Sequence, residues 1–549
     1  MADGQLKHGS ETFFVEGEGV LGAAVGGRSG DETDPVSGTG PVRRAARDLP
    51  AGEAAPFRFS RVGPKGNPLP VSVLRKLALA MVVGGGGEGD VPAGYTYLGQ
   101  FVDHDLTMDR THVRLGTDVS NVDLLQGRSP RLDLDSLYGA GPADPQSATF
   151  FEPDGLRLRT GASLAVDPDA SKPGHDLPRA GTGRTRQDKR AAVVPDPRND
   201  ENLIVAQTHV AMIRFHNRVM DKQPANVPPA QKFAKGRRRV TLHYQWMVRH
   251  DYLPRICRPE TLDRVWEEGR VLVEPTARPT DVPAMPLEFS VAAFRLGHSM
   301  VRESYNWNRR FPGEQGSLDY MFEFSGLGGE LGGETRLISS WLADWRRMYD
   351  FPAGGHPRLG APGGHLNHAM RIDTRLTDPL KNLPPSTFAG FASMDFDDIR
   401  RNLAFRNLSR ASMVRLASGQ QMVAVLRGLG VKVRPLTRAQ VLDGSGGARL
   451  GHLTSAEKDA VAARTPLWFY VLREAELNGG RLRGVGARIL AETFHRAIEG
   501  SRFSIVREPD WRPTLGRTPT TFEMTDLLFF AFGGTPGGPR AGLNPLGGA

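Results

Sequence analysis

Residues 99–107 read GQFVDHDLT, and six positions of that run hold Gln100, Asp103, His104 and Asp105. An imidazole can take up and return a proton near neutral pH, an amide can orient a polar ligand, and carboxylates can serve cations. On a helix, Gln100 and His104 are four apart on one face, with Asp103 close to it. Asp105 is turned about 100° from His104. Two acids on different faces imply different partners. A capped helix with a merely satisfied histidine would leave these four polar groups unexplained.

A second acidic stretch, RSPRLDLDSLYG at 128–139, sets Asp133 and Asp135 two apart with Ser129 and Ser136 nearby. Such a loop offers carboxylate, hydroxyl and backbone oxygens, and Asp105 could complete the set. An all-oxygen set suits Ca²⁺ better than Zn²⁺, although acidic loops are more often simply solvated. In PDPRNDENL at 195–203, Arg198 precedes a helix and Glu201 and Asn202 are expected on its first turn, where an acid favours the helix dipole. FRLGHSM at 294–300 puts Arg295 three residues before His298. RNLAFRNLSR at 401–410 repeats that spacing with Asn407 and Arg410.

These residues need a scaffold that gathers positions 100, 198, 298 and 407. Apolar spacing predicts helices over 200–221, 240–253, 287–300, 397–428, 466–476 and 486–499, with Asn199 or Asp200 available to cap the first. Alternating strand patterns are scarce. The 65 Gly and 41 Pro point to long, turn-rich connections, and the Gly/Pro-rich stretches at 141–200, 309–335 and 352–388 read as long loops of the kind that shape a site. Residues 1–90 read as a Gly/Pro/Arg-rich extension wrapping the core, with little regular structure of their own. Residues 91–549 read as one large, mainly α domain with long loops and little β.

The net charge of +9 comes from scattered basic residues, the densest run being KGRRR at 235–239. It marks a basic surface and no nucleic-acid module. Cys257 is the only cysteine, which excludes an internal disulfide and Cys-ligated zinc or iron–sulfur sites. The runs LALAMVV at 77–83 and LLFFAF at 527–532 are too short to span a bilayer. The N-terminus lacks a basic region followed by an apolar stretch, so no ordinary signal peptide is expected; a cytoplasmic location and leaderless export both stay open.

The five stretches, in this order, resemble the animal-type haem peroxidase superfamily, in its bacterial, myeloperoxidase- and peroxinectin-like branch. The resemblance runs from about residue 95 through TPLWFYVLREAE (465–476) to VGARILAETF (485–494). It implies a mainly helical fold around a buried haem b. It further implies that His104 and Gln100 are the distal histidine and glutamine, Arg198 the distal arginine, and His298 the iron ligand backed by Asn407. Arg295 and Arg410 match arginines near the haem propionates. Asp103 and Glu201 match the acids that form haem esters. Asp105, Ser129, Arg131 (through its backbone oxygen), Asp133 and Asp135 match the calcium loop.

The implied reaction reduces hydrogen peroxide through a ferryl intermediate, with bromide, iodide, thiocyanate or phenols as donors. Asn202 stands where myeloperoxidase-like members carry a vinyl-linked methionine, so chloride oxidation is not expected. Arg295 stands where fatty-acid dioxygenases of the superfamily carry a radical tyrosine, which disfavours that rival. A haem-carrying adhesion protein is the other alternative. A phosphohydrolase built on His104–Asp105 would need further ligands; His250–Asp251 offers one pair, expected to be capped or at the surface, and no supporting pattern follows.

Overall fold

The computed structural model describes residues 57–84, 86–109, 113–114, 117–224, 226–383 and 399–547, together with a strand at Thr12–Phe13. Its principal helices are α1 (Val71–Met81), α2 (Gly94–Leu106), α3 (Leu203–Asp221), α4 (Pro229–Met247), α5 (Leu318–Glu323), α6 (Leu403–Met413), α7 (Leu467–Glu476), α8 (Gly484–Glu499) and α9 (Met524–Phe532). Strands occur among the described residues only as two-stranded pairs, such as Glu88–Pro92 antiparallel to His368–Met370. The chain is mainly α.

Helix α3 runs through the middle and is buried on nearly all sides, packing against α2, α4 and α9. A helix that is apolar all round belongs in an interior. Two of its buried polar groups find partners there: Gln207 donates to the His175 carbonyl at 2.9 Å, and His216 lies 2.9 Å from the Tyr138 hydroxyl and 2.8 Å from the Leu156 carbonyl. His216 is structural. Helix α2 turns Leu98, Phe101, Val102 and Leu106 into the core, each with no measurable exposure. Each such side chain contributes roughly 1.5–3 kcal/mol. Gly99 allows the close approach of Tyr252, whose hydroxyl would lie 2.2 Å from a Cβ at that position.

Several expected elements are drawn differently. Helix α3 begins only at Leu203, because Asn202 is its cap and accepts from the Val205 N–H at 2.9 Å; residues 197–200 form a separate 3₁₀ turn. Glu201 and Asn202 therefore precede the first turn. The 397–428 helix is two helices, and its residues 397–398 lie outside the described set. Ser418 and Gln421 form a reciprocal capping box that starts a new helix at Gly419, with Arg415 at a φ of 46° in the break. The 240–253 and 287–300 segments are helical but wind into π turns at Val248–Tyr252 and Glu288–Ala292, the second passing into a 3₁₀ stretch that carries His298.

Among the described residues before position 90 there is more regular structure than expected. Helix α1 buries Val73, Leu74, Leu77, Ala78 and Met81 and packs against α6. Ahead of it, the N–H groups of Val62 and Gly63 each donate to the buried Glu288 carboxylate at 3.0 Å. Asp251 is not a surface residue: it is buried and accepts from Tyr95, Arg255 and the Met524 N–H.

Candidate functional site

Residues from α2, the 197–202 turn, the His298 segment and α6 meet around one cavity. Gln100, Asp103, His104, Arg198, Glu201, Arg295 and His298 line it; Phe294, Val301, Phe322 and Leu403 supply apolar wall. A Cβ built on Gly297, beside His298, would meet no atom within 4 Å. The backbone there borders open space.

Both histidines are held from behind by an amide. The Asn199 Oδ1 lies 2.9 Å from Nδ1 of His104, and the Asn407 amide lies 2.7 Å from Nδ1 of His298. At His104 the amide oxygen holds the proton on Nδ1 and leaves Nε2 as the base; at His298 the amide nitrogen of Asn407 faces Nδ1 and donates to it. Nε2 of His104 stands 3.5 Å from the Glu201 carboxylate. Gln100 bridges the same wall: its amide nitrogen donates to Glu201, and its oxygen accepts from Asn202 at 2.9 Å.

Arg198 anchors the turn to α2. Its guanidinium donates to the His104 and Thr107 carbonyls at 3.1 and 2.6 Å and pairs with Asp196 at 2.9 Å. Arg128 meets the same carboxylate at 2.6 Å. Burial alone would raise the Asp196 carboxyl, yet Arg198 and Arg128 hold it well below the usual carboxylate range. Arg295 approaches Asp103 at 3.8 Å and donates to the Ser290 carbonyl at 2.8 Å. Arg410 lies one turn beyond Asn407 and meets Asp109 at 3.5 Å, just past the end of α2.

Asp105 points the other way. Its carboxylate accepts from the N–H groups of Leu134 and Ser136 at 3.0 and 3.2 Å. Burial, then the nearby Asp135 charge, pushes its pKa up to about 8, and the same two causes push Asp133 up to about 6. Ser129, Arg131, Asp133 and Asp135 line a neighbouring cleft. Leu134, between the two acids, has a φ of 60°, a left-handed turn that costs a non-glycine residue energy. The Ser129 hydroxyl is buried without a hydrogen-bond partner. The expected cation set is thus gathered in one region, but among the described residues no three His, Cys, Asp or Glu side chains close on a common point. Protein donors stand there instead: Arg237 reaches Asp135 at 3.4 Å, and the Arg502 N–H bonds Asp133 at 3.0 Å.

Asn199 and Asp196 are the site residues that pattern reading missed. Asp196–Pro197 carries a signal, since an acid before proline caps a helical turn, and the Asp196 carboxylate does accept from the Arg198 N–H at 3.1 Å. Asn199 carries none, because its partner is 95 positions away. Tyr97 and Tyr252 also line the cavity and were not anticipated.

The family model described as animal haem peroxidase matches residues 106–326, a span that contains Arg198 and His298. A peroxidase-like protein of Margaritifera margaritifera is 26% identical over 255 residues; the match takes in 38% of this chain and only 32% of that relative. Among solved structures, peroxidase A from Dictyostelium discoideum superposes with a TM-score of 0.51 at 15% identity, over 86% of this chain and 95% of the other. A fatty acid alpha-dioxygenase from Oryza sativa reaches 0.50 at 9% identity, over 82% and 77%. At these identities the structural likeness speaks for the fold. The family match and the curated relative mark part of the chain, residues 106–326 for the family model, as similar to animal haem peroxidases.

Proposed function

We propose that the protein is a haem peroxidase that reduces hydrogen peroxide at the expense of a small donor such as bromide, iodide, thiocyanate or a phenol. The observation that carries the reading is the pair of amide-held histidines, His104 and His298, lining one cavity. The residues fit a haem. The walls are largely apolar, the space beside Gly297 is open, and His298 lines the cavity with its Nδ1 engaged by the Asn407 amide, which leaves Nε2 as the ring nitrogen for a metal. Asp103 and Glu201 both line the cavity, as haem esters through them would require.

Bound haem would supply the redox chemistry of peroxide cleavage and storage of the oxidising equivalents. His104, neutral at Nε2, takes the proton from one peroxide oxygen and returns it to the other as water leaves. Asn199 keeps that nitrogen unprotonated. Arg198 sets the position of His104 through its carbonyl and brings positive charge to the wall where negative charge develops. Gln100 and Glu201 orient polar ligands beside the same imidazole. Asn407 holds the His298 ring while leaving it less anionic than a carboxylate partner would, which favours a strongly oxidising haem. Ca²⁺ at Asp105, Asp133 and Asp135 would neutralise three acids that disfavour one another's charge; the unpartnered Ser129 hydroxyl supports that reading.

Arg295 in place of a radical tyrosine disfavours fatty-acid oxygenation. The test is purification with haem, a Soret spectrum, and a donor panel. Turnover of iodide or a phenol with peroxide is expected, and oxygen uptake with linoleate is not. Oxygenation of linoleate without peroxidase turnover would reverse the assignment.

A further inference from the structure

Helix α5 forms part of the cavity wall and is one helix thick. Leu318 and Phe322, four residues apart, line the cavity, while Tyr320 on the opposite face is 49% exposed. The Tyr320 ring lies 5.3 Å from that of Trp341. Trp341 is buried and stacked between Phe311 at 3.8 Å and Phe324 at 4.2 Å, with interplanar angles of 19° and 20°. Its carbonyl accepts from the Trp307 indole N–H at 2.9 Å. Two residues before Trp307 comes Tyr305, whose hydroxyl lies 2.6 Å from that of Tyr97, and Tyr97 lines the cavity. Tyr and Trp are the side chains a peroxide-level oxidant can oxidise. Here they form a succession from the cavity to the surface, joined by ring contacts at Tyr97–Tyr305 and Trp341–Tyr320 and through the backbone at Tyr305–Trp307 and Trp307–Trp341, with phenylalanines stacked on both faces of Trp341.

We propose that Tyr320 is a second oxidation site, taking electrons from phenolic donors too large for the cavity and passing them inward through Trp341, Trp307, Tyr305 and Tyr97. The inference rests on the peroxidase reading above. Loss of one electron inward and one proton to water converts the Tyr320 phenol to a phenoxyl radical. A donor phenol then gives Tyr320 one hydrogen atom and leaves as its own phenoxyl radical. Two such events supply the two electrons and two protons that reduce one hydrogen peroxide to two waters.

The haem-loaded protein is treated with hydrogen peroxide and a nitrone spin trap, then digested and mapped. A trap adduct is expected on the Tyr320 peptide; it is lost in Tyr320→Phe and falls about tenfold in Trp341→Phe, which keeps an aromatic ring in the stack. In parallel, Tyr320→Phe should slow oxidation of a polymer-tethered phenol about tenfold and leave iodide oxidation unchanged. An unlabelled Tyr320 in a protein that turns over iodide overturns the proposal, as does a Tyr320→Phe variant that oxidises the tethered phenol at the parental rate. A protein that fails to oxidise iodide overturns the peroxidase reading itself, and this site with it.

Discussion

The side-chain amide of Asn407 meets Nδ1 of His298 at 2.7 Å across 109 residues of sequence. The atom facing that ring nitrogen is the Asn407 amide nitrogen, a donor; were Nε2 to bind iron, Nδ1 would carry the proton and the amide would turn its oxygen to accept it, withdrawing less of that proton than a carboxylate would. His298→Ala should abolish tight haem binding. Asn407→Ala should weaken haem retention about 10–100-fold, and Asn407→Asp should lower the haem reduction potential in a spectroelectrochemical titration. Unchanged haem binding in His298→Ala would remove the axial assignment.

His104 and Asn199 form the matching pair. His104→Leu should slow the reaction with peroxide by about 10²–10⁴-fold, read by stopped-flow at the Soret band. Asn199→Leu should slow it less and change its pH profile, because Nδ1 then loses the acceptor that fixes its proton. A His104→Leu protein that reacts at the parental rate would show that the proton is handled elsewhere.

Asp103 and Glu201 bear on haem attachment. After peroxide turnover, acid–butanone should leave haem on the protein. Asp103→Asn and Glu201→Gln should each lower the retained fraction, and the double variant should release it all. Complete extraction from the parent protein rules out both esters.

The acidic loop predicts a cation response. Calcium at about 100 times its dissociation constant should add about 2.7 kcal/mol of stability, seen as a higher Tm that EGTA reverses. Asp105→Asn should abolish that response. A Tm indifferent to Ca²⁺ and EGTA would exclude a calcium role.

Acid sensitivity follows from buried histidines. Burial, with Arg214 and Lys172 nearby, lowers the His175 pKa from 6.5 to about 3. The unfolded chain therefore binds the proton first as pH falls. The stability that goes with neutral His175 is intact above pH 6.5 and is lost progressively towards pH 3. His175→Phe, which preserves the stack on Phe532, should flatten the fall of Tm across that window. An unaltered slope would locate the acid sensitivity in other groups.

The mainly helical character was legible because apolar spacing in segments such as 203–220 is regular and long. The division of labour at His104 and Asp105 was legible too, since adjacent residues on a helix diverge by about 100°. The break at 414–418 had a readable signal, Ser418 three before Gln421, which yielded to the stronger apolar pattern around it. Asn199 and the Tyr97–Tyr305 pair had none, because their contacts join segments far apart in sequence. Helix α1 was hidden by its Gly- and Pro-rich surroundings: its five buried apolar residues occupy a single 11-residue span.

The packing of α1 on α6 gives the two sides of the cavity different histories during synthesis. The His104 wall is drawn from residues 94–221 and can assemble while the remainder of the chain is still being made. The helix that braces His298 must wait, because residues 71–81 hold an apolar face that stays uncovered until residues 403–413 emerge. Such long-separation pairings form late and leave exposed surface in the interval. On the proposed reading, haem capture would be a late event in maturation, and a chain shortened before residue 403 would keep His298 without the Asn407 that holds its ring.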